Sequence, residues 1–341
     1  MEAKCKPRVT PSQAENLLKN LFGLTATCVR ELCGYDDYNF YVKVVEKEDA
    51  FILKVTNSTD SAVPHLIEEL NRLHIFCREG GISVPMPYVH SDGHSVIRKV
   101  LDEDQMLGHA IRLMVYLPGK LLKDVAITNQ LLFDVGVQLS SLHSVTEKFD
   151  SDVLRYRDYI WSLKSVPLLQ SYLSAVQDSE NRELASQVIT DFVTTVVPVI
   201  GSLKSLYVPG DPNEQNILVT ESERSHRVCG LIDFGDSHFA PRIFDLAAAC
   251  LYMMLHATSK DMDVSSAAKS VIDGYSSTHQ LSSVEKQILP ICVKARLTQS
   301  LVLGAFSSQQ QPDNEYVLTT AVHGWQLLRL TSQSTFEQWR D

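Results

Sequence analysis

Hydrophobic residues at the start of the chain recur first at helical spacing and then in alternation. Thr10 to Gln13 forms a capping box with proline at the first helical position, and Gly23 is a typical stop. The apolar residues between them share one helix face: Leu17, Leu18, Leu21 and Phe22. From Thr27 to Val55 the apolar residues alternate around a charged turn at 46–49: Val42, Val44, Phe51, Leu53 and Val55. This pattern predicts an opening helix followed by an antiparallel sheet.

A second helix and two further strands complete the first half of the chain. Four apolar residues at helical spacing precede a glycine pair at 80–81: Leu66, Leu70, Leu73 and Cys77. Ser95 to Val100 and Ala110 to Tyr116 have the composition of strands. Turn residues at 117–119 follow, and helical periodicity dominates beyond them. The prediction is an α+β fold with a small lobe at 1–116, containing an antiparallel sheet and helices, and a larger, mainly helical lobe at 117–341.

One β-hairpin interrupts the helical lobe. Ile217 to Val219 and Val228 to Ile232 are strand-like and flank the polar turn Glu221 to Arg227. Much later, the polar stretch Ser307 to Gln311 is predicted to be a surface loop.

Composition narrows the possible partners. The 341 residues carry 31 basic and 41 acidic side chains, a net charge of −10, which disfavours nucleic acid as a partner.

Seven cysteines with no CxxC pair indicate neither a disulfide framework nor a zinc site. The longest apolar run, Leu246 to Leu255, is about half of the ~20 residues that a membrane span needs. With no apolar signal segment at 1–10, we expect a cytoplasmic protein without a membrane partner. Neither composition nor spacing indicates the oligomeric state.

The hairpin carries the residues with the most informative spacing. Asp211 precedes Asn216 by five positions, a strand follows, and the return strand leads into Asp233, Phe234 and Gly235. In phosphoryl transfer one carboxylate accepts the proton of the attacking hydroxyl, while an asparagine oxygen and a second carboxylate bind Mg²⁺. Asp211, Asn216 and Asp233 fit these roles in that order. The alternative is a polar turn that closes an ordinary hairpin.

A kinase site also needs a lysine on a strand for the nucleotide phosphates and a helix glutamate to hold it. Lys54, within the strand-like 51–55, is the candidate lysine, and Glu68 is preferred over Glu69 as its partner. A solvated lysine and a solvent-facing glutamate are the ordinary alternatives. The expected phosphate loop at 34–40 lacks a GxGxxG motif, which disfavours a protein kinase.

Together these residues resemble the aminoglycoside phosphotransferase and choline kinase family. Further matching stretches lie outside the generic motif: 35–40, 116–119, 159–169, 213–218, 251–254 and 324–325. The resemblance implies a two-lobed protein-kinase-like fold, Mg²⁺, and GTP or ATP as co-substrate. It also implies that the small lobe binds nucleotide, with Val115, Tyr116 and Leu117 at the nucleotide hinge.

The more extended matches imply an acceptor within that family, the 5-hydroxyl of 5-hydroxy-L-lysine, phosphorylated during lysine and hydroxylysine catabolism. The family's acceptors are usually cationic, and ammonium groups bind to carboxylates or aromatic faces. The candidate substrate contacts are therefore Asp36, Asp37, Glu214, Asp236 and Trp161. Another amino-alcohol (homoserine, choline, ethanolamine or an aminoglycoside) stays open as the acceptor, and so does a nucleotide-binding pseudokinase.

The chain departs from the family pattern at one position. The family motif reads His-Gly-Asp, and Pro209 stands where the histidine is expected. This replacement is expected to perturb the loop geometry without removing a reacting group, because the histidine is chiefly a scaffold. Asp245 is expected to brace the loop as the family's buried acid, to favour a helix N-terminus, or both. His143 is expected to be a capping or core histidine.

Overall fold

A computed structural model describes residues 7–32, 34, 36–101, 108–222, 225–260, 262–310, 320–332, 335 and 337–339. Contacts divide the chain into two compact units, Met1–Pro118 and Gly119–Asp341. The first unit contains a five-stranded sheet and the second is mainly helical, which confirms the predicted α+β class. Tyr35, Cys5, Cys33 and Gln311, which entered the sequence predictions, lie outside the described residues.

The first unit consists of an antiparallel sheet with helices packed on it. Its strands are β1 (Ala26–Leu32), β2 (Tyr38–Val44), β3 (Phe51–Val55), β4 (Ile97–Val100) and β5 (Gly108–Val115). They are ordered β1-β2-β3-β5-β4. Its helices are α1 (Pro11–Leu17), α2 (Ser58–Ala62) and α3 (Leu66–Glu79). The alternating residues predicted for the sheet are buried in its core, Val42 and Leu53 completely.

The opening helix begins where its capping box predicts. The Thr10 hydroxyl accepts from the backbone N–H of Gln13, and the Gln13 side chain accepts from the backbone N–H of Thr10. After α1 the chain widens into one π-helical turn, Leu18–Phe22, and stops at Gly23. Gly23 has a φ of 67°, a conformation that glycine adopts without steric cost.

The second unit is built around helices. They are α4 (Asn129–Thr146), α5 (Asp152–Arg155), α6 (Ser179–Thr195), α7 (Arg242–Thr258), α8 (Val264–Ser276), α9 (Ser283–Gln310) and α10 (Ala321–Leu330). Short 3-10 segments lie at Leu122–Asp124, Leu163–Ala175, Val197–Ser202 and Glu337–Trp339. The strands are β6 (Lys120–Leu121), β7 (Ser205–Val208), β8 (Ile217–Ser222), β9 (Ser225–Leu231) and β10 (His238–Pro241). They form two small antiparallel sheets, β6-β8-β9 and β10-β7.

Helices α4 and α8 cross at two glycines. A Cβ on Gly136 would lie 2.1 Å from the carbonyl oxygen of Val271, and one on Gly274 would lie 2.0 Å from that of Phe133. No side chain fits at such distances, so the two backbones pack directly against each other. This crossing fixes α4, which carries His143, against the rest of the helical unit.

Two sequence predictions are corrected by the fold. Ser307 to Gln310 are not a loop but the last turn of α9, because Phe306 packs on Tyr172 and the Gln309 side chain donates to the Ala175 carbonyl, 3.2 Å away. The predicted turn at 221–227 is shorter, because both hairpin strands continue into it. The sequence also did not predict the β7–β10 pair on either side of the hairpin.

In the part of the chain that the structure describes, two helical stretches have the length and apolar composition of a membrane span. One is Ser179–Ser202, in which 28% of the apolar window is buried within the protein, and the other is Ser283–Gln310, in which 89% is buried. Core helices of soluble proteins meet the same criteria, and α9 is buried like such a helix. The absence of a membrane partner stays a prediction.

Candidate active site

The hairpin β8–β9 brings the predicted motif together. Asn216 precedes β8, and its carbonyl oxygen accepts from the N–H of Ile232, 2.9 Å away, just beyond β9. This bond extends the strand pairing by one position and places Asp233 beside the asparagine. Asp211, Asn216 and Asp233 therefore meet at one end of the hairpin, close enough for the Asp233 charge to act on the Asp211 carboxyl.

The Asp211 side chain is held by hydrogen bonds from other residues of its own loop, between Gly210 and β8. The Asn213 side chain donates to Asp211 Oδ2 at 2.7 Å, and the Asn213 backbone N–H donates to the Asp211 carbonyl at 2.8 Å. Asn216 Nδ2 donates to the same carbonyl at 2.9 Å. Asn216 Nδ2 also lies 3.4 Å from Asp211 Oδ2, so both asparagines set the direction of the carboxylate. Asn213 lies between Asp211 and Asn216, but no role was predicted for it from the sequence, because the kinase motif specifies no residue at that position.

A buried acid braces this loop from helix α7. Gly210 has a φ of 88°, and a Cβ there would lie 2.6 Å from the Asp236 carbonyl oxygen. Its N–H donates to Asp245 Oδ1 at 3.0 Å, while Asp245 Oδ2 lies 3.0 Å from His143 Nε2. Asp245 also occupies the first turn of α7, so both expectations for it hold together. The brace acts on the residue directly after Pro209.

Asp233 has a backbone conformation that suits a binding residue. Its φ is 59°, unusual for a residue other than glycine, and its carboxylate Oδ1 accepts from the N–H of Gly235 at 3.1 Å. The side chain is exposed. Because Nδ2 of Asn216 donates to Asp211, the side-chain oxygen of Asn216, on the other side of the amide, is directed away from Asp211. Asp233 and Asn216 together present oxygen donors, the type that Mg²⁺ prefers.

These donors are too few to hold a metal ion alone. Within the described part of the chain, no group of three or more His, Cys, Asp or Glu side chains is arranged to do so. Mg²⁺ at kinase sites commonly has one or two protein ligands and takes others from phosphates and water. The donor set at Asn216 and Asp233 fits this pattern.

Burial sets the acidity of the Asp211 carboxyl. The pKa of this carboxyl is raised to about 7: burial is the main cause, Arg296 and a hydrogen bond from Tyr252 act against it, and the nearby charges of Asp236 and Asp233 act with it. A carboxylate with a pKa near neutrality is well matched to accepting a proton from an alcohol.

Arg296 on α9 was not predicted from the sequence. Its side chain is 3% exposed, and its Nη2 lies 3.4 Å from Asp211 Oδ1. The predicted substrate residue Trp161 lies against it, because the guanidinium carbon is 5.3 Å from the Trp161 ring centroid and Nη1 donates to the Trp161 carbonyl at 2.9 Å. Trp161 therefore packs on an arginine of the protein itself.

Two predicted carboxylates lie near the loop. Asp236 accepts a hydrogen bond from the Tyr159 hydroxyl, and its carbonyl accepts from Nδ1 of His238 at 2.8 Å. Glu214 is half-buried, which raises its pKa, and its backbone carbonyl accepts from the Lys123 N–H at 3.0 Å. Contacts within the second unit therefore position the Asp236 side chain and the Glu214 backbone.

In the first unit, Lys54 lies on β3 with its side chain 11% exposed. Its Nζ forms an ion pair with Asp37 Oδ2 at 3.7 Å. The other carboxylate oxygen of Asp37 accepts from the backbone and side-chain N–H groups of Asn57, at 2.9 and 3.0 Å. Asp37 therefore acts on Lys54 and on the start of α2, which differs from the predicted substrate contact. Asp36 lies beside it in the loop that leads into β2.

The predicted pairing of Lys54 with Glu68 is wrong. Glu68 forms an ion pair with Arg98 of β4, accepting from both guanidinium nitrogens, with Nη2 3.1 Å from Oε2. The reason is orientation, since Glu68 is 39% exposed on the outer side of α3, while Lys54 is buried. A forked guanidinium also matches a carboxylate better than a single ammonium does.

The predicted hinge residues leave the sheet at the end of β5. The Val115 N–H donates to the Met86 carbonyl at 2.7 Å, and the Tyr116 N–H donates to the Ala50 carbonyl at 2.8 Å. The Tyr116 ring packs edge-on against Tyr41, with centroids 5.0 Å apart. Leu117 follows, half-buried.

Comparison with known proteins agrees with this geometry. A model of the phosphotransferase enzyme family (APH) matches residues 32–276. The chain is 31% identical to hydroxylysine kinase of Mus musculus over 344 residues, covering 96% of this chain and 90% of that protein. It is 32% identical to hydroxylysine kinase of Bos taurus, with the same coverage of both chains.

Solved structures share the fold at lower identity. A microcompartment-associated aminopropanol kinase has a TM-score of 0.72 and 18% identity, covering 94% of this chain and 98% of its own. Amicoumacin kinase hAmiN, in complex with AMP-PNP, Ca²⁺ and Ami, has a TM-score of 0.67 and 15% identity, covering 90% and 89%. The architecture is therefore that of these kinases.

Proposed function

The chain belongs to the phosphotransferase enzyme family and is a small-molecule kinase acting on an alcohol group, and from that premise we propose that its acceptor is the 5-hydroxyl of 5-hydroxy-L-lysine. The donor in this proposal is GTP, with ATP as the alternative, and the product is 5-phosphohydroxylysine. The reaction would serve lysine and hydroxylysine catabolism in the cytoplasm. Identity of about one third with hydroxylysine kinases along almost the whole chain supports the choice of acceptor.

The observation that carries the reaction type is the Asp211 carboxylate at the hairpin. It is partly buried, with 22% of its side chain exposed, Asn213 donates to its Oδ2, and desolvation is the main cause that raises its pKa to about 7. In the proposed mechanism Asp211 accepts the proton of the acceptor hydroxyl as the hydroxyl oxygen bonds to the γ-phosphorus and the nucleoside diphosphate leaves. The brace from Asp245 to Gly210 keeps the loop in place during this transfer.

Asn216 and Asp233 are the residues proposed to hold Mg²⁺ through their side-chain oxygens. When bound, Mg²⁺ neutralises charge on the transferred phosphate. Lys54 is proposed to bind the nucleotide phosphates, and the hydrogen bonds from Asn57 fix the Asp37 carboxylate that holds it. Val115, Tyr116 and Leu117 are proposed to contact the nucleotide base.

The acceptor is proposed to be bound through its ammonium groups. Asp236, Glu214 and Asp36 are the carboxylates proposed for this role, since a carboxylate forms a charge-assisted hydrogen bond with an ammonium group. Asp37 and Trp161 are already engaged with Lys54 and Arg296, so we assign them no direct contact with the acceptor.

The test is nucleoside diphosphate release by the purified protein with Mg²⁺, comparing GTP and ATP with and without 5-hydroxy-L-lysine. Asp211→Asn keeps the shape of the side chain and removes the base, and Asp273→Asn, a half-exposed helix position of the same unit, is the matched control. We expect release that needs hydroxylysine, is lost in Asp211→Asn and persists in Asp273→Asn. NMR of the product locates the phosphate.

Other outcomes separate the alternatives. Release with homoserine, choline, ethanolamine or an aminoglycoside, and none with hydroxylysine, would replace the acceptor and keep the reaction type. Nucleotide binding without release on any alcohol would indicate a pseudokinase. In that case Pro209→His would be the next variant, because the proline is where the chain departs from the family motif.

A further inference from the structure

Arg296 links helix α9 to the catalytic loop, the loop at 210–216 that carries Asp211. It lies in the middle of α9, outside residues 32–276 that the family model matches. One face of its guanidinium is 5.3 Å from the Trp161 ring centroid, and the Tyr252 ring centroid is 5.7 Å away. Aromatic rings of this kind stabilise a buried cation that water no longer solvates.

The hydrogen bonds of Arg296 join three segments. Nη1 donates to the Trp161 carbonyl and to the Gln299 side chain, each at 2.9 Å, and Nη2 reaches Asp211 Oδ1 at 3.4 Å. Gln299, one turn later on α9 and fully buried, donates to the carbonyls of Ile160 and Ser162, at 2.7 and 3.1 Å. Arg296 and Gln299 therefore hold the 160–162 segment to α9 and leave one guanidinium nitrogen for Asp211.

This arrangement completes the support of the Asp211 carboxylate. Asn213, in the same loop, holds Oδ2. Arg296, 85 residues later in the chain, reaches Oδ1. A carboxylate bonded at one oxygen can still rotate about its Cβ–Cγ bond, but contacts at both oxygens restrict that rotation.

We propose that Arg296 is a positioning residue for phosphoryl transfer, which aims the Asp211 carboxylate at the acceptor hydroxyl from helix α9. The inference rests on the role proposed for Asp211, and it does not depend on which alcohol is the acceptor. Arg296 acts through Asp211 and does not bind substrate, since its side chain is 3% exposed. Its loss therefore lowers kcat and leaves the KM values for nucleotide and acceptor in place.

The experiment compares three variants with the wild-type protein. Arg296→Lys keeps the charge but loses the fork, and Arg296→Ala removes both. Lys294→Met is the matched control, because Lys294 is also a buried cation of α9 and donates to the Ser332 carbonyl at 3.1 Å, away from the loop. We expect kcat to fall about ten- to a hundredfold in both Arg296 variants, the effect of one charge-assisted hydrogen bond, with both KM values within about twofold.

Chemical rescue separates positioning from a purely structural role. Guanidinium chloride at a concentration far below the denaturing range is expected to restore part of kcat in Arg296→Ala, where the side chain has left a space of matching shape. It should do nothing for Lys294→Met, which we expect to unfold at a lower temperature with kcat near the wild-type value. The folded fraction of each variant is measured by circular dichroism before the kinetics.

Four outcomes would overturn the proposal. They are a kcat within about twofold of wild type in both Arg296 variants, a lower kcat that guanidinium does not raise, a loss expressed in the KM of the acceptor, and failure of both Arg296 variants to fold. The last would assign Arg296 to stability alone. If the wild-type protein phosphorylates another alcohol but not hydroxylysine, only the proposed acceptor is refuted. The role of Arg296 is then tested by the same kinetics with that alcohol.

Discussion

Replacing His143 tests whether the buried brace behind the catalytic loop sets both stability and activity. His143 is fully buried on α4, with Nε2 3.0 Å from Asp245 Oδ2 and Nδ1 2.8 Å from the Tyr275 hydroxyl. The perturbation is His143→Leu, which has similar volume and no hydrogen-bonding group. Tyr275→Phe is the matched variant, because it removes the outer hydrogen bond and leaves the one to Asp245.

The expected magnitude follows from the groups left without a partner. His143→Leu leaves one carboxylate oxygen of Asp245 and the Tyr275 hydroxyl buried and unsatisfied, and each such group costs about 1–3 kcal/mol, with more for a charged one. We expect the free energy of unfolding to fall by about 3–5 kcal/mol. Tyr275→Phe loses one hydrogen bond and should cost about 1–2 kcal/mol.

Urea unfolding followed by tryptophan fluorescence measures the stability of each variant, and steady-state kinetics measure kcat on the folded fraction. Because Asp245 also accepts from the N–H of Gly210, directly before Asp211, we expect His143→Leu to lower kcat and Tyr275→Phe to leave it nearly unchanged. Equal effects of the two variants on kcat, or a loss of stability below about 1 kcal/mol in His143→Leu, would refute the reasoning.

Three further predictions concern single side chains. Burial lowers the pKa of His238 to about 4, so between pH 6.5 and pH 4 this histidine is protonated in the unfolded chain but not in the folded protein. The free energy of unfolding, measured by urea titration, should therefore be unaffected by this group above pH 6.5 and fall by about 3 kcal/mol from pH 6.5 to pH 4. The fall should be smaller in His238→Asn. Gly136→Ala should lower the melting temperature sharply, because its Cβ would meet the Val271 carbonyl at 2.1 Å. Lys54→Met should raise the KM for nucleotide, whereas Glu68→Gln should not, because Glu68 pairs with Arg98.

Local patterns predicted most of the elements. The capping box at Thr10, the alternation in the sheet and the spacing from Asp211 to Asn216 each depend on residues a few positions apart, and the structure shows the expected helix, strands and loop. The errors arose where a distant contact decides the outcome. Ser307 to Gln310 are helical because Phe306 packs on Tyr172, and nothing in a polar stretch indicates that contact.

The same division holds within the site. The groups proposed to take part in chemistry lie on one hairpin, at a spacing that a strand pair dictates, so the reaction type can be inferred from the sequence. Besides the two asparagines of the same loop, the groups that orient Asp211 or its loop come from elsewhere, namely Asp245 on α7, His143 on α4 and Arg296 on α9. Each of these three residues is 34 or more positions away from Asp211 in the sequence, so no local motif contains them. In the proposed mechanism the acceptor hydroxyl meets a carboxylate oriented from these helices, so a substitution on α9, which lies outside the range that the family model matches, is expected to change kcat without altering the hairpin motif.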